Sequence, residues 1–302
     1  MSNCICARIV KGICVAFKRV FSRELPKILL CCIKLIIVRI NYGRSALIVS
    51  KLNINITSRC TLKCSGCFSL MQHYKNAYHL PIEQITRDYD LLLKHMDFAK
   101  NLQITGGEPF MVKELPKLLD HICVRKNKYG LAKIETNGTI LPDKAVLEAV
   151  KKYGFCVVIS NYGDYSDRVT DLKKALRAHG IPYRTKKPKW FAWKQLTDGQ
   201  PPAGEEVKTL KERCQKPCKT FMHGRFYYCD FIAHTDALRA IPSNPENYID
   251  LMDNTVTKEN VRSYLLRDEV YPGCQYCSGI KGYKAIAVAE QINEPIEYKM
   301  FE

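Results

Sequence analysis

Cys60, Cys64 and Cys67 lie within Cys60-Thr61-Leu62-Lys63-Cys64-Ser65-Gly66-Cys67, a C-x3-C-x2-C spacing. Three thiolates so spaced can hold three irons of a [4Fe–4S] cube and leave the fourth without a protein ligand. Cluster-binding sequences commonly close the cube with a fourth cysteine, because an open iron is reactive. An iron left open is one kept for a substrate. The chain has fifteen cysteines, so scattered buried thiols are the competing explanation, and the surrounding segments must decide.

Those segments agree with one another. Leu102-Gln103-Ile104-Thr105 reads as a buried strand running into Gly106-Gly107-Glu108-Pro109. Two glycines let the backbone turn sharply and approach a ligand, and Glu108 offers a carboxylate to an ammonium group. Glu135-Thr136-Asn137-Gly138 ends the next strand, and the apolar run Phe155 to Ile159 closes on Ser160-Asn161-Tyr162-Gly163. Polar residues at the carboxyl ends of successive strands are what a parallel α/β sheet presents to a ligand.

In this order the motifs resemble the radical S-adenosylmethionine (SAM) superfamily, over residues 50–185. The resemblance implies that Cys60, Cys64 and Cys67 bind a [4Fe–4S] cluster whose open iron chelates SAM. One electron from that cluster then cleaves SAM to a 5′-deoxyadenosyl radical. It also implies that Gly106, Gly107, Glu108, Asn137 and Ser160 surround the cofactor, with Glu108 at its amino group. One departure concerns the adenine. The residue before the third cysteine is often large in this family, but here it is Gly66, and Phe68 is expected to stand in.

The elements that must position these residues follow from periodicity. Leu52, Ile54 and Ile56 alternate with polar residues as a half-buried strand. Pro81 opens a helical pattern through Leu91-Leu92-Leu93. Helices are expected at 113–127, 142–152 and 167–179, strands at 132–136 and 155–160, and a short strand near Tyr183. Alternating β and α elements build a parallel sheet. The fold class is α/β, with five or six such units, and the resemblance implies a partial (β/α)6 barrel over 47–190, followed over 191–302 by a small irregular iron–sulfur cluster domain. Residues 1–46 are expected to form a basic, apolar helical segment.

Cys214, Cys218, Cys229, Cys274 and Cys277 make a second group. Cys214 to Gly224 to Cys229 reads C-x9-G-x4-C, with Cys274-x2-Cys277 beyond. This resembles the auxiliary-cluster extensions called SPASM or, when shortened, twitch domains, and implies one auxiliary [4Fe–4S] cluster. Five thiols for four sites leave Cys214 and Cys218 as alternatives. A structural Cys4 zinc site is the competing reading of the same spacing.

The net charge is +17 over 302 residues, unevenly spread. Residues 1–44 hold nine Lys or Arg against Glu24 alone, around the apolar, cation-broken run from Lys27 to Arg39. That run is too interrupted to span a bilayer. It suits either an interfacial helix on anionic lipid or a helix packed on the barrel. No cleavable signal peptide and no disulfide framework is evident, so a cytoplasmic protein is expected, peripheral to the membrane if that helix is the interfacial one. Nucleic acid is not expected as a partner. Lys186-Lys187-Pro188-Lys189-Trp190 with Trp193-Lys194 reads instead as a linker whose aromatics wall the substrate pocket.

The resemblance implies hydrogen-atom abstraction from an unactivated carbon, with an electron donor such as flavodoxin or ferredoxin. A single auxiliary cluster suggests an oxidation like that of the twitch-bearing dehydrogenases: a sugar- or cyclitol-like alcohol losing its second electron to that cluster. Tyr162, Arg184 and His234 are candidate bases near strand ends or the cluster loop. The alternatives are a maturase of a ribosomally made peptide and, outside enzymes, a membrane-associated metal-binding interaction protein.

Overall fold

Leu52 and Ile54 pair in register with Leu102 and Ile104, and Ile104 with Ile134, on three adjacent parallel strands. All five side chains are fully buried, a ladder of aliphatic contacts that centres the core. The computed structural model describes residues 25–191, 214, 218–277 and 285–301. In chain order these include α1 (Leu25–Tyr42), β1 (Ile48–Val49), β2 (Leu52–Asn55), α2 (Ile82–His95), β3 (Phe98–Thr105), α3 (Leu115–Val124), β4 (Tyr129–Thr136), α4 (Lys144–Lys152), β5 (Cys156–Ser160), α5 (Val169–Ala178) and β6 (Tyr183–Lys186). Strands β2 to β6 lie side by side in sequence order, all parallel, with one helix in each connection. This is the open parallel sheet of a partial (β/α) barrel.

Beyond it come β7 (Trp190–Phe191), β8 (Lys219–Met222), β9 (Arg225–Tyr227), α6 (Asp230–Ala237), β10 (Tyr248–Asp250), α7 (Lys258–Leu266) and β11 (Ala285–Ile286). Strand β8 pairs parallel with β2, and β9 and β10 continue antiparallel from it, so the sheet grows to nine strands. Strands β7 and β11 make a separate antiparallel pair. The region after residue 191 thus carries more regular structure than its sequence shows. Its strands are too short for periodicity to register. Phe231, Ile232, Ala233, His234 and Thr235 in α6 are all buried, which leaves no amphipathic stripe to read.

Smaller differences have local causes. The helix expected over 113–127 ends at Val124, because Lys126–Lys128 form a 3-10 turn into β4. Strand β2 is not half-buried. Asn53 and Asn55 are as hidden as Leu52 and Ile54, because β2 is flanked by β3 and β8 and its polar face looks into the barrel. Asp143 caps α4 by accepting the Val146 N–H at 2.8 Å.

Helix α1 docks on the barrel. Lys34 donates to the Tyr129 carbonyl at 3.0 Å, Lys27 donates to the Gly154 carbonyl at 2.9 Å, and Val38 is buried with Phe98. No described helix is long and apolar enough to cross a membrane. Cys4, Cys6 and Cys14 lie outside the described residues, as do Trp193 and Lys194.

Because Ile54 sits fully buried on β2, between β3 and β8, Ile54→Ala should cost about 2–5 kcal/mol of stability through lost burial and a residual cavity. Urea denaturation of the two proteins checks this.

Candidate active site

The loop after β2 carries Cys60, Cys64 and Cys67, and it is pinned to the sheet by the glycine pair after β3. Gly107 N–H donates to the Thr57 carbonyl at 2.8 Å, and Glu108 N–H to the Arg59 carbonyl at 2.9 Å. Gly106 has φ +144°, and a Cβ there would stand 2.3 Å from the Thr57 oxygen; on Gly107 it would stand 2.1 Å from the Arg59 oxygen. Only glycine allows this approach. Cys60, Cys64, Cys67, Gly106, Gly107, Asn137, Ser160 and Tyr162 then line one cavity of about 140 Å³. Among the described residues, no three His, Cys, Asp or Glu side chains converge to hold a single metal ion; the thiols face a shared space.

Burial raises the thiol pKa of Cys60 to about 12 and those of Cys64 and Cys67 to about 11, and each is pushed further by a neighbouring cysteine. Thiols so placed ionise readily only against compensating positive charge, which bound iron supplies. Asn137 donates from Nδ2 to Cys60 Sγ at 3.5 Å and to Thr61 Oγ1 at 3.0 Å, tying the end of β4 to the cysteine loop.

Glu108 departs from expectation. Its carboxylate is 0% exposed and is not among the groups lining the cavity. It accepts from Asn137 N–H at 2.8 Å, Thr136 Oγ1 at 3.0 Å and Phe110 N–H at 3.1 Å. It therefore braces the strand end that carries Asn137, and the backbone of Gly106 and Gly107 is what faces the cavity. Burial, only partly offset by these donors, raises its pKa to about 7.

Phe68 does not stand beside Gly66. It points toward Phe231, ring centroids 6.1 Å apart, and lines a second cavity. The space over Gly66 is taken by Trp190 and Ile286, whose atoms would lie 3.4 and 2.9 Å from a Cβ there. The Trp190 indole meets Tyr162 edge-on at 5.6 Å and lines both cavities. The missing large side chain is thus replaced by an aromatic from a distant strand.

The second cavity, about 370 Å³, adjoins the first; Ser69, Thr105, Glu135, Ser160, Tyr162 and Trp190 belong to both walls. All five later cysteines, Cys214, Cys218, Cys229, Cys274 and Cys277, line it. Burial raises the Cys229 and Cys274 pKa values, and repulsion from Cys214 and Cys277 adds to both. Cys218 is felt at Lys219, together with Cys229, Cys214 and Cys274. The Lys219 pKa is lowered to about 8, burial outweighing the attraction of the thiols, and its ammonium rests 3.2 Å from the Tyr228 ring centroid.

Of the candidate bases, Tyr162 lines both cavities, and burial raises its pKa. Arg184 is exposed on β6 and lines neither. His234 is 1% exposed, with Nδ1 bonded to Tyr74 Oη at 2.8 Å and Nε2 to Asn55 Nδ2 at 3.0 Å. It supports rather than faces the cavity. The group it supports is Asp230, which sequence reasoning missed. Asp230 lines the second cavity and accepts from Ser69 Oγ at 2.5 Å, Asn55 Nδ2 at 3.0 Å and Thr220 Oγ1 at 3.4 Å. Its position directly after Cys229 was the available signal. Glu135 was also passed over. Burial pushes its carboxyl up, but the Lys186 ammonium, Lys51 and the Ser160 hydroxyl outweigh that and hold it below the usual range.

Residues 54–186 match the family model of the Radical SAM superfamily. The chain is similar to the 7,8-dihydro-6-hydroxymethylpterin dimethyltransferase of Methanocaldococcus jannaschii, 28% identical over 116 residues, covering 38% of this chain and 22% of that one. It is similar to the tungsten-containing aldehyde ferredoxin oxidoreductase cofactor-modifying protein of Pyrococcus furiosus, 37% identical over 105 residues, covering 32% and 26%. A third relative is the antilisterial bacteriocin subtilosin biosynthesis protein AlbA of Bacillus subtilis, 31% identical over 104 residues, covering 34% and 22%. The matches thus span about a quarter or less of these relatives' own lengths. Among solved structures, Streptococcus suis SuiB bound to precursor peptide SuiA has 22% identity and a TM-score of 0.38, covering 46% of this chain and 32% of that one.

The buried Glu108 gives a pH signature. From its ordinary 4.5 to about 7 the folded protein keeps a proton that the unfolded chain releases. The folded state then binds more protons, so this residue's contribution to stability is full below 4.5 and falls as pH rises through that window. Glu108→Gln should flatten that part of the stability–pH curve, measured by denaturant unfolding of the metal-free protein.

Proposed function

We propose that this radical SAM enzyme oxidises a small polar alcohol, sugar- or cyclitol-like, held between its two groups of cysteines. The carrying observation is that the cavity lined by the later cysteines adjoins the one lined by Cys60, Cys64 and Cys67, and has a carboxylate and an orphaned acceptor in its wall. Cys60, Cys64 and Cys67 would hold a [4Fe–4S] cluster that binds SAM; four of the later five cysteines would hold an auxiliary one. The C-x9-G-x4-C spacing favours Cys214 over Cys218 in that set. When bound, the first cluster with SAM supplies hydrogen-atom abstraction and the second a one-electron acceptor.

The chain's own residues do the rest. Oxidation of a carbinol releases the hydroxyl proton, and Asp230, fixed by three donors, is placed to take it. Asn53 Oδ1 is buried on the same wall without a hydrogen-bond partner, which costs free energy unless a ligand donor reaches it. A substrate hydroxyl meets that need. Lys51, Gln103, Glu135 and Lys186 extend the polar lining, and Trp190 and Phe68 close it with apolar faces that exclude water. A peptide-modifying role finds support in the likeness to AlbA. Asn53, Gln103 and Asp230 in the cavity wall offer the hydrogen-bonding groups that a small polyol needs.

Iron analysis and EPR of anaerobically reconstituted, reduced protein test this reading. Two clusters are expected, with one signal changing on SAM addition. Cys60→Ala should abolish SAM cleavage, and Cys277→Ala should keep cleavage but lose product. Asp230→Asn should lower turnover by roughly 10²–10⁴ while SAM cleavage without product continues. Full turnover in Cys277→Ala would sink the oxidative role of the second site.

We also propose that α1 lies on an anionic membrane surface. Leu29, Leu30, Ile33, Ile36, Ile37 and Ile40 share its outer face at 46–76% exposure. A contiguous apolar patch of this kind marks an interaction surface, and the cations of residues 1–44 complement anionic lipid. Sedimentation with phosphatidylglycerol-containing vesicles should capture the protein, and plain phosphatidylcholine should capture much less. Ile33→Ser with Ile37→Ser should abolish capture. Equal recovery from both vesicles, or a stable dimer through this face, would refute it.

A further inference from the structure

Each cysteine of the first group receives N–H donors at sulfur, and the donors come from different parts of the chain. Cys60 accepts from Leu62 N–H at 3.5 Å and from Asn137 Nδ2 at 3.5 Å. Cys67 accepts from the backbone N–H groups of Met71 and Ser69. The donor to Cys64 is the side-chain amide of Gln291, Nε2 to Sγ 3.2 Å, from the other end of the chain.

Gln291 is held in place independently of that sulfur. Its Oε1 accepts the Lys63 N–H at 2.7 Å, and its Nε2 also donates to the Ala289 carbonyl at 2.6 Å. The backbone around it pairs with the cysteine loop. Ser65 N–H donates to Glu290 O, and Ile292 N–H to Lys63 O, each at 2.8 Å. Fully buried Ala289, at φ +56°, makes the bend that brings Gln291 round. A non-glycine residue held there is stored strain, sustained only where surroundings over-determine it.

We infer that Gln291 is a positioning residue for Cys64, orienting its sulfur toward the cluster and tuning the cluster's reduction potential. The inference rests on reading Cys60, Cys64 and Cys67 as cluster ligands. An N–H donor disperses negative charge on a thiolate, and reduction adds negative charge to the cluster. Losing the donor therefore penalises the reduced state more than the oxidised one and lowers the potential. It also loosens a ligand, so iron should leave faster.

The test is an EPR-monitored redox titration of the SAM-responsive signal, with iron loss to a chelator followed separately, in the full-length protein. Gln291→Leu removes the donor and the Lys63 contact. Gln291→Glu is nearly isosteric and keeps an acceptor for Lys63, but replaces the donor with an oxygen. Both should show a lower midpoint and iron loss accelerated by about tenfold or more. The strap's backbone pairing survives in each, so the melting temperature of the metal-free Glu variant should stay near that of the parent. An unchanged midpoint and unchanged iron loss in both variants would overturn the inference, as would a loss of melting temperature in the Glu variant without a change in midpoint. No SAM-responsive signal in the parent protein would overturn the cluster reading beneath it.

Discussion

The close contact between the Gly106-Gly107 backbone and the Thr57-to-Cys60 segment is the constraint that sets the site's geometry. Two backbone hydrogen bonds cross a gap too narrow for any Cβ. With the glycines so placed, the next residue enters the interior, and the buried Glu108 carboxylate must find donors there. It finds them at Thr136, Asn137 and Phe110. That fixes the end of β4, which in turn lets the Asn137 side chain reach Cys60 and Thr61. One steric condition thus aligns three consecutive strand ends around the thiols.

A second network couples the barrel to the strands and helix after residue 218. Asn55 on β2, Ser69 in the cysteine loop and Thr220 on β8 all donate to Asp230, while His234 joins Asn55 to Tyr74. Every member is buried or half-buried, so removing one partner leaves others unsatisfied in a low-dielectric interior. The network therefore holds Asp230 in one orientation toward the cavity.

Much of this was legible in the sequence, and the remainder was hidden for physical reasons. The cysteine spacing, the glycine pair and the order of strands and helices are local patterns, and periodicity finds them. Alternation in β2 was seen but misassigned. Asn53 and Asn55 face the barrel interior rather than solvent, and a period of two says only that the faces differ. Glu108 was placed at the ligand because its type suits an ammonium; which way a carboxylate turns depends on donors nearly thirty residues on. Trp190 over Gly66, Gln291 at Cys64 and Asp230 with Ser69 are contacts between segments far apart in sequence, and no local window contains both partners.

The pairing of β2 with β8 bears on how the two cysteine groups work together. Leu52 lies opposite Lys219, so Cys218 comes level with Lys51 at the start of β2. Tyr227 on β9 lies opposite Thr220, which brings Cys229 to the same end. Cys60 lies past the other end of β2, beyond Asn55. From Lys51 to Asn55 a strand advances on the order of 13 Å at 3.3 Å per residue. The offset of Cys218 and Cys229 from Cys60 is therefore set by the length of one hydrogen-bonded strand in a continuous sheet. The side chains that line the space between them are Asn53 and Gln103 along its length, with Asp230 and Glu135 as carboxylates and Trp190 over the cysteine loop.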